Sequence, residues 1–320
     1  MKCGRHPGGD KVDKLGLCPA AIDPIYDGFN QGDSAGRACW IVSGTFCDGK
    51  IQGSFADKQD SCKNCAFYKK IHAEEGITKL TMGNIKFFGI TQVGLVRKSN
   101  EDRYLIKELK DKSVLIAVAD GLGGGVASDY AAEILRGKLA GLNHISRNNE
   151  QPELDQLARA IDRTIYTESQ ENNDLEGMGS TLVGVLLRDR IAHWVHVGDS
   201  RLYLLRNGIL TQVTEDQTLA RFLLEEGEIN TEQLPTHYSR HVMDQCVGCG
   251  YAEPETGCLN LFAGDLLALS TDGLHGQITE NTLHSILNTD NNLEIKANAL
   301  VKAALDAGGE DNITVVMAQG

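Results

Sequence analysis

Four stretches of the 320-residue chain set a carboxylate at the end of an apolar run. In AVADGLGG, Asp120 follows the run 114–119, and in ALSTDGL, Asp272 follows 266–270. In GGEDNITVV, Asp311 precedes 313–317, and in SNEDRYLI, Glu101 and Asp102 precede 104–106. A strand end fixes its next side chain at the rim of a core, so several rims can converge on one acidic pocket. Clustered carboxylates raise one another's pKa unless a cation sits between them. Oxygen ligands without nearby His or Cys suit Mg²⁺ or Mn²⁺, not zinc. Gly121 and the glycine run 123–125 let backbone approach an ion or its waters closely. Each Asp-Gly pair alone reads as a turn. Their joint occurrence, in order, points to a metal site.

The elements that must hold these acids are strands with helices between them. Residues 87–92, 104–107 and 114–119 read as strands, and 128–142 and 153–169 carry helical spacing. A β-rich section follows over 180–187, 191–197, 201–206 and 209–213. Within it, LLRNGIL sets Asn207-Gly208 between apolar runs, the signature of a type I′ hairpin. A helix near 218–226, strands at 259–262 and 266–270, two helices and a strand at 313–317 complete the order. Hairpin-linked strands with helices kept outside predict an α+β layered sandwich, not a parallel sheet.

Hydrophobic residues make up 41% of the chain, enough for a sizeable core. The longest apolar run, 114–119, is far short of a membrane span, and MKCGRHPGGD cannot serve as a secretion signal. The expectation is a cytoplasmic protein with no membrane partner. Residues 1–76 hold ten basic and ten acidic residues, so the net charge of -13 belongs to the remainder. That charge repels phosphate backbones and excludes nucleic acid as a partner. It would also repel a phosphorylated substrate, unless cations sit at the site.

Six motifs together carry a family resemblance: GLVRKSNEDRYLI, VADGLGGGVASDYAAE, DLEGMGSTLVGVLL, VHVGDSRLYLLRNGILTQVTEDQT, LLALSTDGL and GEDNITVV. From about Phe87 to Ala318 the chain resembles the metal-dependent protein phosphatases, type 2C, in their bacterial form. The resemblance implies a four-layer α-β-β-α sandwich with two antiparallel sheets over residues 85–320. It implies hydrolysis of phosphoserine and phosphothreonine in proteins by water activated at a centre of two or three Mn²⁺ or Mg²⁺ ions. By motif position Asp120 would bridge two metals, Asp272 and Asp311 would hold the first, and Glu101 with the Gly121 carbonyl the second. Asp102 would orient water, Asp174 would bind a third metal, and Arg97 would grip the substrate phosphate. Residues 218–245 match a flap beside the site. Eukaryotic members have a leaving-group His where this chain has Leu122, so that acid is unassigned, a water on the metals being the first choice. His237 and His241 lie in the flap segment. Asp199 and Arg201, in GDSR between two strands, read as turn residues, and Ser180 lacks a nearby base to make it a nucleophile. Phosphorylated proteins and an opposing Hanks-type Ser/Thr kinase are the implied partners. A non-catalytic phosphoprotein binder and a phosphatase for one anti-sigma-factor antagonist are the alternatives.

Six of nine cysteines fall in residues 1–76: Cys3, Cys18, Cys39, Cys47, Cys62 and Cys65. That Gly-rich segment lacks apolar runs and needs a staple. Thiolates around Zn²⁺ or an iron–sulfur cluster would supply one, with buried thiols or disulfides as the alternative. The cysteine pattern, Cys62-x-x-Cys65 included, resembles a small bacterial cysteine-rich module, the two-CW type, though only one Cys-Trp pair, Cys39-Trp40, is present; a metal-binding or redox module over 1–76 that regulates the rest of the chain is expected. Cys246-Val247-Gly248-Cys249 is a second CxxC, open to metal, redox or plain turn readings.

Overall fold

The computed structural model describes residues 5–22, 39, 45–47, 50–51, 65–67, 77–124, 126–240 and 242–320. The chain divides into two compact units, one of residues 1–77 with 137–142, the other of 78–136 with 143–320. In the first, the described residues include a helical turn, Val12–Leu15, and a hairpin pairing Phe46–Cys47 with Lys50–Ile51. Arg5 is buried there and donates to the carbonyls of Gly16 at 2.8 Å and Leu17 at 3.0 Å. Cys18 and Cys39 are buried and Cys65 is half-buried. Cys3 and Cys62 lie outside the described residues, and only the backbone of Cys47 is among them.

The second unit is a sandwich. Strands β1 (Ile77–Met82) and β2 (Ile85–Gln92) precede β3 (Arg103–Glu108) and β4 (Val114–Ala119). A short strand β5 (Gly121–Leu122) leads to helices α1 (Val126–Ala140) and α2 (Glu150–Glu171). Then come β6 (Gly179–Ser180), β7 (Leu182–Arg188), β8 (Ile191–Val197), β9 (Arg201–Arg206) and β10 (Ile209–Gln212). Helix α3 (Leu219–Glu225), β11 (Glu255–Asn260), β12 (Leu266–Ser270), α4 (Asp272–His275), α5 (Glu280–Leu287), α6 (Leu293–Asp306) and β13 (Ile313–Gln319) follow. One sheet runs β11-β8-β7-β4-β3 and the other β10-β9-β12-β13-β2-β1. Their registered strand pairs are antiparallel.

The two-residue period of a strand explains both layers of core. Leu267 and Leu269 of β12, with Val316 and Ala318 of β13, pack between the sheets against Ile116, Val118, Val183 and Val185. Their neighbours Leu266, Ala268, Val315 and Met317 face the other way, onto Leu293, Ala297, Leu300 and Ala304 of α6. Helix α2 covers β8 and β11 on the opposite face. Strands buried on both faces therefore read as unbroken apolar runs. The α+β sandwich with two antiparallel sheets is the architecture observed.

Asn207 and Gly208 have φ of 52° and 77°, and Arg206 pairs with Ile209 across the two-residue turn. This is the hairpin expected from LLRNGIL. Gly208→Ala is expected to cost about 1 kcal/mol, because Cβ strains the left-handed backbone. A lower denaturant midpoint at unchanged m-value checks it. Two elements differ from expectation. The connector before residue 85 forms β1, the edge of the six-stranded sheet. The strand expected at 259–262 is Glu255–Asn260, which stops where Asp265 accepts from Phe262 N at 2.8 Å and from Arg206 at 2.7 Å.

Candidate metal centre

Strand register brings the acids together. Arg103 pairs with Ala119, so residues 101–102 enter β3 beside the point where Asp120 and Gly121 leave β4. In the other sheet Ser270 pairs with Val315, so Asp272 and Asp311 stand just beyond the same end of β12 and β13. The close approach needs glycine: a Cβ on Gly273 would lie 1.9 Å from the Asn312 carbonyl oxygen. One on Gly121 would lie 2.2 Å from the Ser128 carbonyl oxygen.

Asp102 is buried between the two sets. Its Oδ2 accepts from Thr271 Oγ1 at 2.8 Å, while its Oδ1 is buried and accepts no hydrogen bond from the described residues. Burial raises its pKa well above the usual carboxylate value against the pull of the Thr314 and Thr271 hydroxyls, and the charges of Asp272 and Asp311 push the same way as burial. Asp120 is raised well for the same reasons: burial, then Asp102, Asp272 and Asp199. Asp199 is pushed up to about 7 by burial and by Asp272 and Asp216, against the pull of Arg201. Such a group of mutually destabilised carboxylates, one with a bare buried oxygen, fits a divalent cation. Among the described residues no three His, Cys, Asp or Glu side chains already close around one point as ligands would. Mutual repulsion holds anions apart, and Mg²⁺-like ions keep several waters, so a closed protein cage is not required.

The remaining acids are held individually. Both Glu101 oxygens are engaged, by Ser99 Oγ at 3.0 Å and Ser128 Oγ at 2.6 Å. Arg97 is exposed and its Nη2 lies 2.6 Å from Asp311 Oδ2. The backbone of Asp120 is pinned to Thr181, whose N donates to Asp120 O at 2.8 Å and whose Oγ1 accepts from Asp120 N at 2.9 Å. Gly121 pairs with Ser180 in the β5–β6 ribbon. Asp174 is exposed on the turn Asn173–Leu175, where its N–H donates to Asn172 Oδ1 at 3.0 Å. His237 is taken up by Ser239 Oγ at 2.7 Å, and His241 lies outside the described residues. Ser180 is buried and donates to Thr181 O.

Three participants escaped the sequence reading. Asp199 belongs electrostatically to the acidic group, because Arg201 is bound to Asp216 at 2.6 Å and 2.8 Å. Asn312 accepts from Glu101 N at 2.7 Å and donates to Val93 O and Ser99 O, both at 2.9 Å, so it ties the loop bearing Arg97 to β13. Arg103 lies buried with Asp129 and Glu133 and donates to Asp102 O at 2.8 Å. Asn312 had a signal, its place in GEDN beside Asp311. The other two needed the register.

Two packed antiparallel sheets with helices outside and carboxylates gathered at one shared end define the class, a layered α+β sandwich. The profile of the Protein phosphatase 2C family matches residues 96–305, and the chain belongs to that family. It is 36% identical over 231 residues to the serine/threonine protein phosphatase PstP of Mycobacterium tuberculosis, covering 70% of this chain but only 43% of that relative. It is 33% identical over 235 residues to the serine/threonine phosphatase stp of Listeria monocytogenes, covering 72% of this chain and 93% of that protein. Among solved structures, the catalytic domain of PstP in complex with two manganese ions matches with a TM-score of 0.65 at 33% identity, over 73% of this chain and 97% of that one.

Proposed function

We propose that this chain hydrolyses phosphoserine and phosphothreonine in proteins, with Mn²⁺ or Mg²⁺, in opposition to a Ser/Thr kinase in the cytoplasm. One observation supports the reading: acids from four separate strand ends lie close enough for their charges to act on one another, and Asp102 Oδ1 is buried without a hydrogen bond from the described residues. The names of the relatives, and the two manganese ions of PstP, support it. Asp120, Asp272 and Asp311, with Glu101 and the Gly121 carbonyl, would hold two ions, and the exposed Asp174 would reach a third. When bound, such ions lower the pKa of water and neutralise phosphoryl charge. Asp102, fixed by Thr271 and by the backbone bond to Arg103, would orient the attacking water and take its proton at Oδ1. Arg97 would present its planar fork to the phosphoryl oxygens, drawn from Asp311 as that carboxylate turns to a cation.

The direct test is hydrolysis of para-nitrophenyl phosphate and of a phosphothreonine peptide, with Mn²⁺, with EDTA and with Asp272→Asn. Turnover only in the Mn²⁺ wild type is expected; none under any metal would leave a binding protein. Arg97→Lys is expected to lower kcat/KM for the peptide about 10-fold, mainly through KM, since an ammonium cannot make the bidentate contact.

Residues 1–76 would act as the regulatory unit, with Cys3, Cys18, Cys39, Cys47, Cys62 and Cys65 holding Zn²⁺ or an iron–sulfur cluster. The burial of Cys18 and Cys39 is in keeping with that. Elemental analysis and a visible spectrum of anaerobically purified protein separate the two, and neither metal would leave plain thiols.

A further inference from the structure

Beside the acidic pocket lies a second chemical feature, the turn carrying Cys246 and Cys249. Both cysteines are half-buried, and the Cys249 thiol donates to the Cys246 carbonyl at 3.0 Å. The intervening backbone is locked from two sides. Val247 is fully buried and exchanges two 2.8 Å backbone hydrogen bonds with Ser180. The buried carboxylate of Asp162, on α2, accepts from the N–H groups of Gly248 at 2.7 Å, Gly250 at 3.0 Å and Ala252 at 3.3 Å. Gly248 and Gly250 supply the positive φ that this winding demands, 117° and 85°. A carboxylate that gathers three N–H groups fixes the backbone of this turn, and the side chains of Cys246 and Cys249 are hydrogen-bonded to each other.

The turn also touches the metal-binding ribbon. Cys246 Sγ lies 3.2 Å from where a Cβ on Gly179 would stand, and the same β6 strand pairs Ser180 with Gly121. We propose that Cys246 and Cys249 are a redox-active dithiol that closes to a disulfide under peroxide and thereby displaces the β5–β6 ribbon carrying Gly121.

The chemistry balances with hydrogen peroxide as oxidant. The Cys249 thiolate attacks one peroxide oxygen, the O–O bond breaks, and the departing hydroxide takes a proton to leave as water. Cys246, giving up its proton, attacks the resulting sulfenic sulfur. The S–S bond forms, the S–O bond breaks, and the hydroxide released takes that proton as a second water. Two thiols are oxidised and one peroxide is reduced. Cys249 suits the attacking role: the S–H of Cys246 and the N–H of Tyr251 favour its thiolate and bring its pKa down to about 7. Cys246 is pushed up by the same partnership and by burial, as expected of the resolving thiol. Exposed Cys258 lies on β11 and takes no part in the pair.

The test uses the full chain, hydrogen peroxide and a non-reducing peptide map. A Cys246–Cys249 peptide lighter by two hydrogens, refractory to alkylation until dithiothreitol is added, is expected. Peroxide should lower wild-type turnover about 5-fold or more, reversibly, while C249S keeps its turnover and C258S behaves as wild type. If both thiols still alkylate after peroxide, the dithiol is overturned. If the bond forms and turnover is unchanged, or C249S is inactivated equally, the link to the ribbon is overturned. Turnover depends on the phosphatase reading and the peptide map does not, so the two failures are distinguishable.

Discussion

Asp120→Asn is expected to cost about 10³-fold or more in Mn²⁺-dependent turnover while raising the melting temperature of the metal-free protein. The two effects have one cause. Asp120 stands among Asp102, Asp272 and Asp199, and their charges, after burial, push its pKa well up. On the proposed function, that negative charge is what would hold the cation. Without one, the same charge strains the fold. Asparagine has nearly the same shape, keeps the backbone bonds to Thr181 and removes the charge. Each kcal/mol of relieved repulsion is worth roughly 2–4 °C in a unit of this size. Melting curves in EDTA and steady-state rates in Mn²⁺ read the two halves separately. A variant that loses activity and also melts lower without metal would be merely misfolded, and the assignment of Asp120 would lose its support.

The parts of this architecture that were legible are those in which local pattern and tertiary role coincide. Apolar runs such as 114–119 and 266–270 are strands because the sandwich buries both of their faces, so length and bounding Asp-Gly pairs marked them clearly. The Asn207-Gly208 turn needed only its own backbone preference. Asp199 was illegible for the opposite reason. In GDSR it resembles a turn residue with a partner two places on, yet Arg201 reaches Asp216, 15 residues away, and leaves Asp199 to the pocket. The β5–β6 ribbon has two residues per strand, too few to show any period. Strand β1 escaped because ITKLTM alternates on an edge where little is buried. The strand ends beside Asp102, Asp120, Asp272 and Asp311 could be read from the apolar runs that these residues precede or follow. Their meeting was given by register, which periodicity alone does not carry.

The metal-free protein should become less stable as pH rises from about 5 to 8, and Mn²⁺ should remove that slope. Asp199 shows why. Its folded pKa is about 7, against 3.8 for the ordinary carboxyl. Well below pH 3.8 both forms are protonated and the group contributes no difference. Between the two values the unfolded carboxyl ionises first, so the folded state binds more protons and stability falls with rising pH. Above 7 the loss is complete. At 1.36 kcal/mol per pKa unit the shift corresponds to roughly 2–4 kcal/mol after some allowance for screening. Asp102 and Asp120 are shifted in the same direction and add to it. The opposing groups act lower on the scale. Glu133 is held at about 2 against its burial by Arg136 and Arg103, and Asp111 at about 2, also against burial, by Ser113 and Arg188. Their stabilisation is fully present above the ordinary carboxyl range and lost only as pH falls toward 2, which leaves the metal-free optimum near pH 5. On the proposed function, a saturating cation would be held by the ionised carboxylates and would reverse the preference, adding RT ln(1 + [L]/Kd) to the fold. Thermal melts at pH 5, 6, 7 and 8, in EDTA and in Mn²⁺, measure both slopes. Asp199→Asn should flatten the EDTA curve in part. A metal-free curve that climbs from pH 5 to 8 would mean that these carboxylates do not repel one another, and the electrostatic case for a cation among them would fail.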